Sequence, residues 1–301
     1  MINKDYFKQT RILDGGMGQE LLARGMKPNS TLWSANAILD ENYHQLVLDT
    51  HLDFIKAGAE IIVTTTFATR QKRLKENNLL DKFEYLNQKA GEIAQLAKKK
   101  FPNTFVAGGI PPQNSTYEAD DRDEAEIIEN FNSQGKALNQ YVDFFYFDVW
   151  SSIKEVECGI EAIKEFKKPY LVGLHISEGT TLPSGEKIKE IKNIIDENAL
   201  GVMLSCVSPE NFEKNLEELR SLNIPFGFKL NGFVTTKLKQ SYTTVFLGKK
   251  SNPNEILGKR QDLTPTRIQE IAKKFKDAGA TILGGCCETN PSHIEAIAKI
   301  K

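Results

Sequence analysis

The stretch Thr281-Ile-Leu-Gly-Gly-Cys-Cys-Glu-Thr-Asn-Pro-Ser-His293 places two adjacent cysteines at the end of an apolar run and just before a predicted helix. Neighbouring side chains of a regular strand point to opposite faces, so both thiols can reach one centre only where the strand ends or bends. Gly284 and Gly285 make such a bend easy and let a bulky centre approach the backbone. A third thiol, Cys206, ends the similar run that starts at Gly201. Three sulfurs at strand ends indicate a zinc site.

Short apolar runs alternate with longer amphipathic segments along the whole chain, as parallel strands alternate with crossover helices. Apolar residues at helical spacing occur between the runs, for example Leu48, Leu52 and Ile55. The eight predicted strands comprise residues 11–15, 60–67, 104–110, 142–149, 170–176, 201–206, 225–231 and 281–287. Eight such units in 301 residues predict an α/β fold with a single (β/α)8 TIM barrel. The alternative with the same local pattern is a doubly wound open sheet.

Polar side chains at the ends of successive predicted strands favour the barrel, because in that fold they surround a single opening. These residues are Asp14, Thr64, Thr65, Thr66, Asp148, His175, Cys206, Asn231, Cys286 and Cys287. No shift in composition divides the chain, so residues 1–301 are predicted to form one domain. A polar, lysine-rich insertion at about 232–264 separates the seventh strand from its helix. Such a long loop is often a lid or an arm to a neighbouring subunit.

The composition is that of a globular protein, with 40% hydrophobic and 26% charged residues and a formal net charge of -1. This balance provides no attraction to nucleic acid or to an anionic membrane. No apolar run approaches the ~18 residues of a membrane span, and the polar start lacks a secretory signal, so a cytoplasmic location is predicted. Four cysteines are too few for a disulfide framework here, and clustered thiols in a reducing compartment more often bind metal or do chemistry.

The thiols of Cys206, Cys286 and Cys287 predict a catalytic zinc site. Soft thiolates select zinc, and three protein ligands leave one coordination position for water or substrate. The alternatives are buried cysteines that act as small hydrophobes, or an exposed vicinal thiol pair with a redox role. Cys158 is predicted to be a bystander on the fourth helix, opposite the apolar stripe of that helix.

The four histidines are weaker candidates as ligands. His44 and His51 share a face of the first long helix and are predicted to be surface or packing residues. His175 and His293 lie nearer the strand ends, where each fits either a hydrogen-bond partner of the metal ligands or a structural role.

Four segments of the chain resemble the homocysteine S-methyltransferase family. They are Ile-Leu-Asp-Gly-Gly-Met-Gly-Gln-Glu-Leu at 12–21, Ala-Gly-Ala-Glu-Ile-Ile-Val-Thr-Thr-Thr-Phe at 57–67, Cys206 shortly before Ser-Pro-Glu-Asn, and Gly-Gly-Cys-Cys-Glu-Thr at 284–289. The Gly-Gly-Cys-Cys segment together with the distant cysteine is a specific match, and the resemblance covers nearly the whole chain. It implies a zinc-containing (β/α)8 barrel that methylates the thiol of homocysteine, with Cys206, Cys286 and Cys287 as the zinc ligands.

The resemblance also implies a set of substrate-binding residues. Asp14 and Gly15 match residues beside homocysteine, and Asp148 falls where the family usually has a Glu that holds the amino group. The strand end that contains Thr64, Thr65 and Phe67 matches a segment near the amino acid. Asn231 matches an Asn near the metal.

The reaction needs a donor whose methyl group leaves readily. A free alkyl thiol with a pKa near ~8.5 is mostly protonated at neutral pH, and metal binding removes that proton. A methyl group leaves most easily from an atom that becomes neutral, so a small onium compound such as betaine, dimethylsulfoniopropionate or S-methylmethionine is the predicted donor. Aromatic faces bind such cations, and Trp33, Phe67 and Trp150 are predicted to surround it. S-adenosylmethionine fits less well because no Gly-rich dinucleotide loop follows a strand, and cobalamin would need further domains.

The prediction is therefore an enzyme, a zinc-dependent homocysteine S-methyltransferase that forms methionine. Another thiol or a selenol is the alternative acceptor. Two other classes of protein stay open. A zinc-dependent hydrolase would need a general base beside the metal. A non-enzymatic metal or thiol sensor would need exposed thiols of low pKa. The predicted partners are small molecules, and the long insertion is compatible with a homo-oligomer.

Overall fold

A computed structural model of the chain describes residues 2–239 and 253–301, and within them eight parallel strands form a single sheet. The strands are β1 (Arg11–Ile12), β2 (Ile61–Val63), β3 (Phe105–Ile110), β4 (Phe144–Trp150), β5 (Tyr170–Leu174), β6 (Ala199–Val207), β7 (Phe226–Leu230) and β8 (Ile282–Gly285). Strand β8 pairs with β1, and a parallel bridge between Leu13 and Ile61 joins β1 to β2. The predicted (β/α)8 barrel is therefore confirmed. The open sheet is wrong, because its end strands would not pair.

Helices surround the sheet and connect its strands. They are α1 (Met17–Ala23), α2 (Asn36–Leu39), α3 (His44–Lys56), α4 (Gln71–Glu76), α5 (Phe83–Lys100), α6 (Glu124–Leu138), α7 (Ile153–Ile163), α8 (Pro209–Arg220), α9 (Asn254–Leu257), α10 (Pro265–Asp277) and α11 (Pro291–Ala298). Ser208, Thr264 and Asn290 each cap a helix whose first residue is proline, which is a start signal readable from the sequence. Between β5 and β6 the structure has a 3-10 helix, Ile188–Asn193, in place of the expected α-helix. None of the helices described is long and apolar enough to cross a membrane.

Apolar side chains fill the barrel and leave one end open. The interior contains Leu13, Ile61, Tyr146 and Met203, all buried. Phe7 of the N-terminal segment closes the end where the strands begin, with its ring centroid 6.3 Å from that of Phe144. The polar carboxyl ends of the strands therefore meet at the opposite end, where catalytic residues of this fold lie.

The predicted insertion at 232–264 is described only in part, since residues 240–252 lie outside the described residues. Its two ends run side by side: Phe233 forms an antiparallel bridge with Lys259, and the N–H of Arg260 donates to the carbonyl of Gly232 at 2.8 Å. Helix α9 lies within this part of the chain. The segment therefore begins and ends beside the open end of the barrel.

Candidate metal and substrate site

Three thiols converge at the open end of the barrel. The Sγ atoms of Cys206, Cys286 and Cys287 lie within 4.8 Å of one another, with Cys206 in β6 and the other two directly after β8. Sulfurs around a tetrahedral zinc would lie roughly 3.8 Å apart, given a Zn–S distance of ~2.3 Å, so the cluster has a suitable size. Across residues 2–239 and 253–301, no other group of three Cys, His, Asp or Glu side chains is close enough to hold a metal.

A bulge in β6 turns Cys206 towards the other thiols. The register of β6 against β7 shifts between Ser205 and Val207, and Cys206 has a left-handed φ of 52°. A bulge breaks the alternation of side chains and is common beside active sites. A non-glycine residue in this region costs about 1–3 kcal/mol, so the surrounding contacts must hold it there.

Three side chains hold the end of β6 in place. Asn231 donates from Nδ2 to the carbonyl of Cys206 and accepts from the N–H of Phe233 at 2.9 Å. His175 lies 3.1 Å from the carbonyl of Ser205 through Nδ1, and burial lowers its pKa to about 4, so it is neutral and donates from this nitrogen. The hydroxyl of Tyr117 lies 3.1 Å from Sγ of Cys206. His175 is thus a hydrogen-bond partner of the backbone next to a thiol, which is one of the two roles predicted for it.

The cysteine pair after β8 is fixed by close backbone packing. The N–H of Cys286 donates to the carbonyl of Leu230 at 2.7 Å, and the carbonyl of Cys287 accepts from Gly232 at 2.9 Å. A Cβ on Gly16 would lie 2.5 Å from the carbonyl oxygen of Cys286, so only glycine fits beside this turn. The position of the cysteine pair therefore depends on residues in β7 and just after β1, as well as on Gly284 and Gly285.

The three thiols of the cluster hydrogen-bond to one another. Hydrogen bonds from the thiols of Cys206 and Cys287 lower the pKa of Cys286 well below its ordinary value, and the nearby Lys229 lowers it further. A thiolate is the form of cysteine that binds soft metals.

A buried ion pair lies below the thiols. Nζ of Lys229 is 2.8 Å from Oδ1 of Asp14, whose Oδ2 accepts from the N–H of Val63 at 2.7 Å. Burial raises the pKa of Asp14, and Lys229 opposes that rise. Burial also disfavours the charge on Lys229, but Asp14 and Asp148 outweigh it and raise the pKa of Lys229. Both oxygens of Asp14 thus have partners within the protein, and because the residue also lines the cavity, its contact with substrate stays a prediction.

Asp148 reaches the site from a second bulge. The register of β4 against β5 shifts between Phe147 and Trp150, and Val149 has a φ of 69°. Oδ1 of Asp148 is buried and has no hydrogen-bond partner among the described residues. Burial raises the pKa of Asp148 to about 7. Asp148 is therefore an acidic residue in the cavity wall whose Oδ1 has no partner among the described residues.

The thiols and both aspartates line one cavity at the open end of the barrel. The predicted residues that line it are Asp14, Gly15, Trp33, Thr64, Thr65, Phe67, Asp148, Cys206, Cys286 and Cys287. The rings of Trp33 and Phe67 meet edge to face with centroids 6.0 Å apart. Both pack against the apolar cluster that contains Cys206 and Cys287. The cavity therefore joins an aromatic wall to the sulfur cluster.

Trp150 does not line this cavity, so its predicted place beside the donor is wrong. Its ring is fully buried outside the barrel, with centroids 4.3 Å from Phe131 and 4.1 Å from Phe147, and Nε1 donates to the carbonyl of Ile110 at 2.8 Å. The bulge before Trp150 changes the alternation of β4 and directs this side chain to the helix layer. Asn231 lies behind Cys206, whose carbonyl it contacts, so it is close to the thiol cluster, and its contact with substrate stays a prediction.

The remaining cysteine and histidines lie away from the thiol cluster. Cys158 is 4% exposed and packs within the outer apolar layer, not on an open face of α7 as predicted, and burial raises its pKa to about 11. His44 and His51 lie on α3, where His51 is buried with Nε2 3.4 Å from Oγ1 of Thr65. His293 belongs to the first turn of α11, and its Nε2 is 3.0 Å from the carbonyl of Leu263.

Several residues of the site were not predicted from the sequence. Lys229 carried a readable signal, because a lysine inside the apolar strand Phe226–Leu230 must find a buried partner. Tyr117 and the lining residues Arg70 and Arg73 gave no such signal, since they lie in loop and short-helix segments whose position depends on the whole barrel.

Comparisons with known proteins agree with this geometry. Residues 11–300 match the sequence model of the family described as homocysteine S-methyltransferase. The homocysteine S-methyltransferase 1 of Saccharomyces cerevisiae is 27% identical, over 95% of this chain and 92% of the yeast protein. An S-methylmethionine–homocysteine S-methyltransferase of Pongo abelii is 27% identical, over 89% of this chain and 72% of that protein. The crystal structure of the homocysteine methyltransferase MmuM from Escherichia coli, in a metallated form, has the same fold, with a TM-score of 0.79 at 19% identity over 97% of this chain and 96% of that one.

Proposed function

The chain belongs to the homocysteine S-methyltransferase family, and we propose that it transfers a methyl group from a small onium donor to the thiol of homocysteine, with zinc held by Cys206, Cys286 and Cys287. The observation that carries this proposal is the convergence of three thiols on one cavity that also contains an acidic group and an aromatic wall. The product is methionine.

The donor set of the cluster fits zinc. Three cysteine sulfurs within 4.8 Å, with a lowered pKa at Cys286, match a soft metal that takes thiolate ligands. Three protein ligands are the number found in catalytic zinc sites, where substrate takes the remaining position. When bound here, zinc would supply the acidity that removes the proton from the homocysteine thiol. The related fold from Escherichia coli, solved in a metallated form, supports this assignment.

We assign the ammonium group of homocysteine to Asp148. This residue lines the same cavity as the thiols, its Oδ1 has no hydrogen-bond partner among the described residues, and an incoming cation would stabilise its charged form. The ion pair of Asp14 and Lys229 links the segment after β1 to β7. It also places a positive charge near Cys286. Thr64, Thr65 and Gly15 complete this part of the wall.

The aromatic wall is suited to the methyl donor. An onium centre is attracted to the faces of aromatic rings, and desolvated contacts of this kind contribute about 2 kcal/mol. Trp33 and Phe67 lie beside the cluster that contains two of the thiols, so a donor there has its methyl group near the acceptor sulfur. As the new sulfur–carbon bond forms, the onium atom of the donor keeps the electron pair of the broken bond and becomes neutral, and the thiol proton passes to solvent. A sulfonium donor is supported by the S-methylmethionine named for the Pongo abelii relative.

The burial of Cys206 and Cys287 argues against an exposed vicinal thiol pair, and Cys286 is half-buried in the cavity wall. Cys206 is 1% exposed and Cys287 is 8% exposed, whereas redox-sensing cysteines are accessible to solvent. No observation favours a hydrolase over methyl transfer.

Incubation of the zinc-loaded protein with homocysteine and a panel of donors labelled with 13C in the methyl group tests the proposal. The panel contains glycine betaine, dimethylsulfoniopropionate, S-methylmethionine and S-adenosylmethionine. We expect labelled methionine with at least one of the first three, and loss of the product when a chelator removes the metal. Absence of labelled methionine with every donor, or unchanged turnover after complete metal removal, would contradict it.

A further inference from the structure

A chain of hydrogen bonds runs from the aromatic wall to the residue that follows the cysteine pair. Nε1 of Trp33 donates to Oε1 of Gln19 at 3.2 Å, and Nε2 of Gln19 donates to Oε1 of Glu288. Trp33 lines the cavity that contains the three thiols. The proposed chemistry uses the ring of Trp33 but gives no role to Gln19 or Glu288.

The direction of this chain follows from the chemistry of its two ends. An indole N–H can only donate, so it must meet the amide oxygen of Gln19. The amide NH2 group of Gln19 then meets Glu288, whose carboxylate can only accept. Because hydrogen bonds in a chain polarise one another, the negative charge at Glu288 strengthens the donation from the indole. The ring of Trp33 is left richer in electrons, and such a ring attracts a cation to its face more strongly.

The ring of Trp33 is fixed by contacts on several sides. A Cβ on Gly18 would lie 2.3 Å from Cε2 of the indole, so the glycine lets the ring pack directly on the backbone of α1. The backbone of Trp33 has a left-handed φ of 45°, and its ring meets Phe67 edge to face. A part-buried indole N–H needs a partner, and Gln19 supplies it from α1. Gln19 therefore decides which edge of the indole turns towards the helix and which part of the ring is left for the cavity.

Glu288 is a fixed end for the chain. Its side chain is 4% exposed, Nδ2 of Asn254 donates to its Oε1 at 3.0 Å, and Nζ of Lys259 lies 2.8 Å from its Oε2. Its backbone has a left-handed φ of 63°, and a Cβ on Gly232 would lie 2.9 Å from its own Cβ. Because Lys259 is 52% exposed, solvent screens the lysine charge more than that of the buried carboxylate.

We propose that Gln19 and Glu288 are positioning residues for the methyl donor, which act through the indole N–H of Trp33 to orient its ring and to strengthen its attraction for the onium cation. This role rests on the proposed function, in which Trp33 contacts the donor. It makes the two residues determinants of the preference for a cation over a neutral molecule of the same shape.

Matched pairs of ligands isolate the contribution of the positive charge. Glycine betaine is compared with 3,3-dimethylbutyrate, and dimethylsulfoniopropionate with 4-methylpentanoate. Within each pair the carboxylate and the shape are shared, and a carbon atom replaces the onium atom. Binding is measured on the zinc-loaded protein with norleucine, which has no thiol to accept a methyl group, in place of homocysteine.

Tryptophan emission gives a direct readout of the ring. The chain has two tryptophans, and Trp150 is fully buried outside the barrel. A change of emission when a ligand binds therefore reports Trp33. We expect the parent protein to bind the cation of at least one pair at least about tenfold more tightly than its neutral partner, as a desolvated cation–π contact implies.

Two variants interrupt the chain at different points. Gln19→Leu removes the acceptor of the indole N–H and should lower the preference for the cation to less than about threefold. Glu288→Gln keeps a hydrogen-bonding side chain but removes the charge, so its preference should lie between those of Gln19→Leu and the parent protein. In turnover, both variants should raise the KM of the donor and keep their kcat, their KM for homocysteine and their zinc content.

Glu295→Gln is the matched control, because it removes one negative charge from the exposed side of α11. It should keep the parental preference. A parental preference in both Gln19→Leu and Glu288→Gln would overturn the proposal. An equal loss of affinity for the cation and its neutral partner would also overturn it, since the two residues would then only shape the cavity.

The binding measurements separate this role from the proposed function. If the parent protein transfers no methyl group but its preference for the cation falls in Gln19→Leu and not in Glu295→Gln, the proposed function fails and the role of the chain stands. If methyl transfer occurs without any preference for the cation, only the role of the chain fails. Absence of binding of both cations to the parent protein overturns that role as well.

Discussion

Cys206 has a backbone conformation that few residues adopt, and its neighbours hold it there. Its φ of 52° coincides with the register shift in β6, and Asn231, His175 and Tyr117 all contact this residue or the one before it. Strain of this kind is kept where the surrounding structure determines it strongly, as at functional sites. The side chains around Cys206 thus act by placing its sulfur.

The thiol cluster gives the first prediction at this scale. Cys206→Ser, Cys286→Ser and Cys287→Ser should each lose the one zinc bound per chain, because a serine hydroxyl is a poor ligand for a soft-metal site. Cys158→Ser serves as the control and should keep its zinc, since it is buried in the outer layer. Metal analysis of purified variants measures this, and full occupancy in Cys287→Ser would show that the ligand set is wrong.

A second prediction concerns Asp148. Asp148→Asn should raise the KM for homocysteine by roughly tenfold or more, since it removes a charged partner of the ammonium group. Because the pKa of Asp148 is about 7, the asparagine resembles a form that the free protein already populates, and zinc content and Tm should change little. Loss of zinc, or an unaltered KM, would remove the substrate-binding role from this residue.

The buried pair of Lys229 and Asp14 gives a third prediction. Lys229→Met leaves a buried carboxylate without its partner, which should lower the free energy of unfolding by about 3–5 kcal/mol. The double variant Asp14→Asn/Lys229→Met should recover much of that loss. Urea unfolding of the two single variants and the double variant forms a cycle, and strictly additive effects would mean that the two charges do not interact.

At the scale of elements, the sequence predicted where strands lie better than how they end. The apolar runs located all eight strands, because burial between barrel and helices leaves a clear pattern. The bulges at Val149 and Cys206 depend on the register against neighbouring strands, which no local pattern records. For this reason the thiols were located correctly, whereas Trp150 was assigned to the wrong face of β4.

The first turn of α7 contains a buried acid that gives a fourth prediction. Oε2 of Glu155 accepts from the N–H of Ser151 at 3.0 Å and from Oγ of Ser152 at 2.9 Å. Burial raises its pKa from 4.5 to about 8. Between these values the folded protein keeps a proton that the unfolded chain has released, so the stability contributed by this group falls as pH rises, by up to about 1.4 kcal/mol per pH unit.

Glu155→Gln should therefore become more stable relative to the parent protein as the pH is raised from 5 to 8. Glu157→Gln, on the exposed face of the same helix, is the control and should follow the parental curve. Urea unfolding at several pH values measures the difference. A constant difference between Glu155→Gln and the parent would show that this residue is ionised in the folded state throughout.

At the scale of the whole molecule, barrel closure assembles the site. Asp14 follows β1, Asp148 lies in β4, Cys206 lies in β6, and the cysteine pair follows β8, yet all line one cavity. Strand-end position was enough to predict this convergence from the sequence. The partners of Asp14 and the places of Arg70 and Arg73 in the cavity lining could not be predicted in the same way, because they depend on distances across the barrel.

X-ray absorption at the zinc edge tests the central claim most directly, because it counts the atoms bound to the metal with and without the acceptor. The protein alone should show three sulfur ligands, supplied by Cys206, Cys286 and Cys287. Addition of selenohomocysteine should add one zinc–selenium contact and leave the three sulfurs in place. A spectrum without selenium beside the zinc, or with fewer than three sulfurs from the protein, would contradict the account.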